Sequence, residues 1–205
     1  MRRVAEVDVA GVAEALGDGS EETAWWYDPA SGRVEMWAPP EWSGLDEDED
    51  DPTERGLVPI ESEGSRAAYR DMVGFAAAVG DVRAAGQLGR ALEGRGAFRR
   101  FRDVLADFPA LSERWRTYER ACAERRAVEW LIDSGHVDAD DGETEAAALA
   151  AAATAVLAAI GAESGEEIDE SVAVERWADV QRSIESGHAV TVVRDGQTWA
   201  IITPP

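Results

Sequence analysis

Ala91-Leu92-Glu93-Gly94-Arg95-Gly96-Ala97-Phe98-Arg99-Arg100-Phe101 joins two helical patterns through a Gly-Arg-Gly turn near the middle of the chain. Upstream, Leu88 and Leu92 lie one turn apart in a helix predicted from about Val82 to Glu93. Downstream, Phe98, Phe101, Val104, Leu105 and Phe108 fall on one face at about 100° per residue, predicting a helix over about 97–108 that Pro109 ends. Those phenylalanines are expected to be buried. Arg99 and Arg102 then point away, Arg100 lies near the other edge, and Arg95 sits in the turn itself. Arg95, Arg99, Arg100 and Arg102 are therefore the candidate binding residues. The free N–H groups that open the second helix face the same way, a combination suited to phosphate, carboxylate or a nucleic-acid backbone.

The charge around this motif sharpens the reading. Between Arg83 and Arg126 stand eleven arginines against six carboxylates, a net of +5 in a chain whose total is −22. All twenty basic residues are arginine, and lysine and asparagine are absent. That bias fits a high-GC coding sequence or a salt-adapted acidic proteome, so arginine number alone says little. An excess of −22 repels nucleic acid and anionic membranes at long range unless the charge is segregated, as it is here.

Working outward, four helices are expected: from Ser65 to Gly80, the two of the central motif, and about Leu111 to Ile132, where Leu111, Trp115, Tyr118, Cys122, Val128 and Leu131 keep helical spacing. Before them, Asp8 is placed to cap a short helix ending at Gly17. Ala24–Tyr27 and Val34–Trp37 then read as a hairpin around Asp28-Pro29-Ala30-Ser31-Gly32, with a third strand over 57–60. Trp25, Trp26, Tyr27, Trp37 and Trp42 make this the aromatic end, read as cross-strand packing rather than a ligand platform. Asp46 to Asp51 is an unbroken acidic run, expected as a solvated loop. It lacks the spaced ligands and Gly turn of a calcium loop.

Ser134 to Glu143 reads as a linker, followed by an alanine-rich helix over 145–160 with a seam of Leu149, Val156, Leu157 and Ile160. After a polar stretch, 163–170, the sequence predicts a helix over about 172–186. Two strands, Ala189–Val193 and Thr198–Thr203, follow around the Asp195-Gly196 turn. The fold class is α+β: a small N-terminal antiparallel sheet covered by a four-helix layer, plus a C-terminal helix and β-hairpin module. The domains expected are 1–133, a 134–165 linker carrying the alanine-rich helix, and 166–205, with the chain dividing near 134 to 145. The apolar seam and the lone hairpin both need a surface, which predicts a homodimer through 145–205.

The span from Val7 to Asp133 resembles an uncharacterised bacterial protein family numbered 0158. The likeness rests on Trp26-Tyr27-Asp28, Gly32-Arg33-Val34, Leu57-Val58-Pro59-Ile60, Tyr69-Arg70-Asp71-Met72, the Ala91–Phe101 motif, and Leu105, Pro109, Leu111, Trp115 and Glu129-Trp130-Leu131. It implies a fold unit and no activity, so no catalytic residue carries over. The end, Val172 to Pro205, looks like the small prevent-host-death type antitoxin domain through its helix, Ile184-Glu185-Ser186-Gly187, the Asp195-Gly196 turn and Ala200-Ile201-Ile202. That resemblance implies pairing of two copies through this region and a toxin or DNA as partner.

Enzymatic signals are poor. His136 and His188 have no second histidine or cysteine at metal-ligand spacing, and Cys122, the only cysteine, falls on an apolar helical face. No catalytic residue, metal or cofactor is assigned. A single cysteine excludes an internal disulfide and points to a reducing compartment. Acids interrupt the N-terminal apolar stretch, and the apolar run Ala146–Ile160 is short of the ~20 residues a bilayer span needs. The expectation is a cytoplasmic protein without membrane contact. Two readings of the arginines stay open. In one they are spent internally, on pairs such as Arg90–Glu93, Arg99–Asp103, Arg120–Glu124 and Arg125–Glu129 or on the 46–51 loop. In the other they bind a protein partner or acidic ligand, with a nucleic-acid-associated regulator of toxin–antitoxin type as an alternative and an enzyme of unknown class as a second.

Overall fold

The structure is a computed structural model and describes residues 1–20, 22–37, 52–162, 166–185, 190–194 and 197–202. Trp42, the acidic run 46–51 and the Asp195-Gly196 turn lie outside the described residues. The chain is α+β and packs as two compact units, Met1–Asp71 with Thr117–Thr154, and Met72–Arg116 with Ala155–Pro205.

In the first unit, α1 (Val9–Gly17) starts where the Asp8 carboxylate accepts the Gly11 N–H at 2.9 Å, as its cap position predicts. Strands β1 (Ala24–Asp28), β2 (Arg33–Trp37) and β3 (Val58–Ile60) form an antiparallel sheet in the order β2-β1-β3. Trp26 stands opposite Glu35 and Pro59, and Tyr27 opposite Val34 and Val58. At the hairpin end Gly32 has φ +76°, and a Cβ there would lie 2.9 Å from the Glu6 carbonyl, so both conformation and space require glycine. Tyr27 and Ile60 on the sheet pack with Val12, Ala15 and Leu16 of α1, and with Ala127, Val128 and Leu131 near the end of α5 (Pro109–Asp133). Pro109 is the first residue of that helix, where its missing N–H costs nothing.

Residues 134–143 do not form a linker. Gly135, at φ +69°, turns the chain after α5, Val137 is fully buried, and the Asp138 N–H donates to the Arg2 carbonyl at 2.9 Å. Helix α6 (Ala139–Ala162) begins there, and its Asp141 accepts the Val4 N–H at 2.7 Å. The polar composition taken for a linker is the acidic first turn of a helix, favoured by its N-terminal dipole. The bounds of the two units fall within helices. With the extra turns, α6 offers a span long and apolar enough to cross a membrane, Ala139–Gly161, of mean hydropathy 1.6. Of its apolar seam, Val156 and Ile160 are buried, and Leu149 and Leu157 are half-buried.

The second unit contains the second half of α2 (Ser65–Ala78), then α3 (Val82–Ala91) and α4 (Ala97–Ala106). Its core is an aromatic triad. Phe101 meets Trp115 at 4.9 Å and Phe75 at 6.4 Å between ring centroids, and Phe75 meets Trp115 at 5.2 Å, all edge to face. The C-terminal part is a three-stranded sheet rather than a hairpin. β4 (Glu166–Asp169) runs parallel to β5 (Val190–Arg194), which pairs antiparallel with β6 (Gln197–Ile202). The helix expected over 172–186 is two pieces, α7 (Glu170–Glu175) and α8 (Trp177–Glu185), with the Asp169 carboxylate capping the first. Ala173, Val180, Val190 and Val192 form the small core beneath them.

Candidate functional site

The Gly94-Arg95-Gly96 turn is held by one of the four candidate arginines. Arg100, one turn into α4, reaches back so that its Nε donates to the Ala91 carbonyl at 3.2 Å while its two terminal nitrogens donate to the carbonyls of Glu93 and Arg95. These carbonyls belong to the end of α3 and the turn after it, where helical acceptors are unsatisfied and the dipole is negative. Gly94 (φ +68°) and Gly96 (φ +78°) supply the left-handed conformations that fold the chain tightly enough for this reach. Arg100 is thus a strut inside the turn.

The other three remain outside. Arg95 and Arg102 are exposed and, among the described residues, carry no ion pair. Arg99 meets Asp103 only at 3.8 Å, with its side chain 86% exposed, a geometry that contributes little. Phe98, expected in the core, is 38% exposed. The buried stripe of α4 is Ala97, Phe101 and Leu105, and Phe98 lies about 60° from Phe101 in the first turn, at the edge of what the helix covers. Phe98 is therefore partly exposed in the same stretch of chain as Arg95, Arg99 and Arg102.

Much of the remaining basic surplus is used internally. Arg125 pairs with Glu129 at 2.6 Å, and Arg116 with Glu113. Arg126, largely buried, bonds Asp71 at 2.8 Å and lies 3.6 Å from Glu63. Arg83 lies over the Phe108 ring at 5.8 Å. The expected Arg90–Glu93 and Arg120–Glu124 pairs do not form among the described residues.

Released from Arg120, Glu124 lines a groove of about 430 Å³ in the first unit together with Glu145. Val4, Val7, Val9 and Leu149 supply its apolar wall. Nothing in the sequence signalled this groove, because its parts come from chain segments more than a hundred residues apart.

Two further clusters surround Cys122 and His136. Cys122 is buried, and burial first, then the Asp71 charge, pushes its thiol up. Tyr118, hydrogen-bonded to it, is also raised by burial. His136 is packed against Tyr27 at 4.7 Å and Trp130 at 5.7 Å. Its Nε2 and the Tyr27 hydroxyl are buried without hydrogen-bond partners, and burial lowers the imidazole. Among the described residues no group of three or more His, Cys, Asp or Glu could hold a metal ion.

No curated protein and no solved structure matches the chain. A family model does, over residues 7–143, a span that takes in both the Gly-Arg-Gly hairpin and the packed turn at 134–138 and leaves the antitoxin-like stretch 172–205 outside it. The chain belongs to the uncharacterised protein family UPF0158.

Proposed function

We propose that this chain is a non-enzymatic binding or regulatory protein of the cytoplasm whose recognition surface is the tip of the α3–α4 hairpin: Arg95, Phe98, Arg99 and Arg102. The observation that carries the reading is the exposure of Phe98 among arginines that lack strong internal partners. An aromatic ring beside guanidinium groups is the composition of interface hot spots, where the ring fills a pocket and the arginines meet carboxylates. A protein partner presenting acidic groups around an apolar depression fits this chemistry. Nucleic acid fits less well, because the rest of the chain carries −27 and repels phosphate at long range.

The test is capture with the intact chain from nuclease-treated lysate, beside a variant carrying Arg95→Glu, Arg99→Glu and Arg102→Glu. A protein retained by the first and lost by the second supports the reading. Equal retention by both sinks it. Binding that vanishes on nuclease treatment, with affinity falling steeply as salt rises, transfers the surface to nucleic acid.

A further inference from the structure

Two surfaces among the described residues are complementary to each other. One is the hairpin tip, an exposed phenyl ring within a basic rim. The other is the groove of the first unit, where Val4, Val7, Val9 and Leu149 form an apolar wall beside Glu124 and Glu145. Neither glutamate has an ion-pair partner among the described residues, although Arg120 stands one turn from Glu124. The groove's volume, about 430 Å³, lies in the range that takes small-molecule-sized groups and is ample for one aromatic side chain.

Resting on the reading of the tip as a binding surface, we infer that the hairpin tip of one copy docks in the acid-rimmed groove of a second copy. Phe98 enters over Val4, Val7 and Leu149, and Arg95, Arg99 and Arg102 meet Glu124 and Glu145. Charge complementarity selects a second copy over other occupants. The groove excludes acidic partners, and the chain itself supplies the cation-rimmed aromatic that the groove fits. The contact is head to tail, so each copy retains one free tip and one free groove unless the rotation closes a ring. It differs from the dimer expected through residues 145–205, since the tip it uses lies outside that span.

Two charge-reversed variants test it by sedimentation. The tip variant carries Arg95→Glu, Arg99→Glu and Arg102→Glu, and the groove variant carries Glu124→Arg and Glu145→Arg. All the changed residues stand at the surface or line the groove, and far-UV circular dichroism checks that both variants fold. The wild-type chain is expected to self-associate in the micromolar range. Each variant alone is expected to be monomeric there, its dissociation constant raised at least about tenfold, as for desolvated charge pairs. Mixed together, the two form a one-to-one complex, because one intact tip and one intact groove remain.

A wild-type chain that stays monomeric, or a mixture that does not associate, overturns self-docking. If the tip variant has meanwhile lost an external partner, the binding reading itself survives. Self-association that persists undiminished in the tip variant overturns self-docking too, and if that variant also keeps every partner, the binding reading falls with it.

Discussion

Arg100 donates to the main-chain carbonyl of Ala91, nine residues upstream, at 3.2 Å. This single side chain ties the end of α3 to the start of α4 and so sets the turn on which Arg95 is displayed. One guanidinium donating to three carbonyls at the negative end of a helix is a structural cation, in a cluster where Arg95 and Arg102 carry no ion pair among the described residues and Arg99 meets Asp103 only at 3.8 Å.

Arg100→Ala is therefore expected to destabilise the chain by about 1.5–3 kcal/mol, the scale for hydrogen bonds that involve a charged group. Arg95→Ala, at an exposed site, should stay within ~0.5 kcal/mol of wild type. Urea unfolding of both variants checks the contrast, and equal effects would show that Arg100 is no strut.

Glycine substitutions offer an independent check on the same turn. Gly96→Ala puts a side chain at φ +78° with Arg100 3.3 Å away, and should cost about 1–2 kcal/mol. Gly89, inside α3 with open space around its Cβ position, should gain about 0.5–1 kcal/mol on replacement by Ala. Thermal melts that rank the two variants the other way would contradict the described turn.

The hairpin at the centre was legible because its signals are local. Gly-Arg-Gly between two 3.6-residue periodicities, Asp8 before a helix and the Asp28–Gly32 turn all act within a few residues of themselves. What escaped depended on distant partners or on the main chain. Arg100 looked like its neighbours because the acceptors it uses are carbonyls, invisible to a charge count. Phe98 looked buried because periodicity gives the direction of a helix face and not how far the covering surface extends. Glu166–Asp169, acidic and short, forms a strand only by parallel pairing with Val190–Val193, a non-local register that no alternation announces. The acids of 138–143 resembled a linker because a helix's negatively charged first turn and a solvated loop have the same composition.

Acid should loosen the first unit through His136. The group's pKa is lowered in the folded chain from an ordinary value of 6.5, so the unfolded chain binds the proton first. Its contribution to stability is fully present above that value and is lost as pH falls through it toward the lower folded value. Urea midpoints of wild type and His136→Gln at pH 7.5 and pH 5 isolate this from the general charge effect. The difference between the two proteins should shift in favour of the variant at the lower pH, and a pH-independent difference would exclude the assignment.

Cys122 should resist thiol reagents in the native state, because its thiol is buried and raised. Complete labelling is expected only in denaturant. Rapid stoichiometric labelling of the native protein would show that the α5 face is open.

The most direct test of the hairpin tip as a recognition surface is an alanine scan across residues 95–102, with affinity and stability measured on every variant against the captured partner. Arg95→Ala, Phe98→Ala, Arg99→Ala and Arg102→Ala are predicted to weaken binding with little change in unfolding midpoint, Phe98→Ala the most. Arg100→Ala is predicted to lower the midpoint first. Unchanged affinity in all four surface variants would contradict the account.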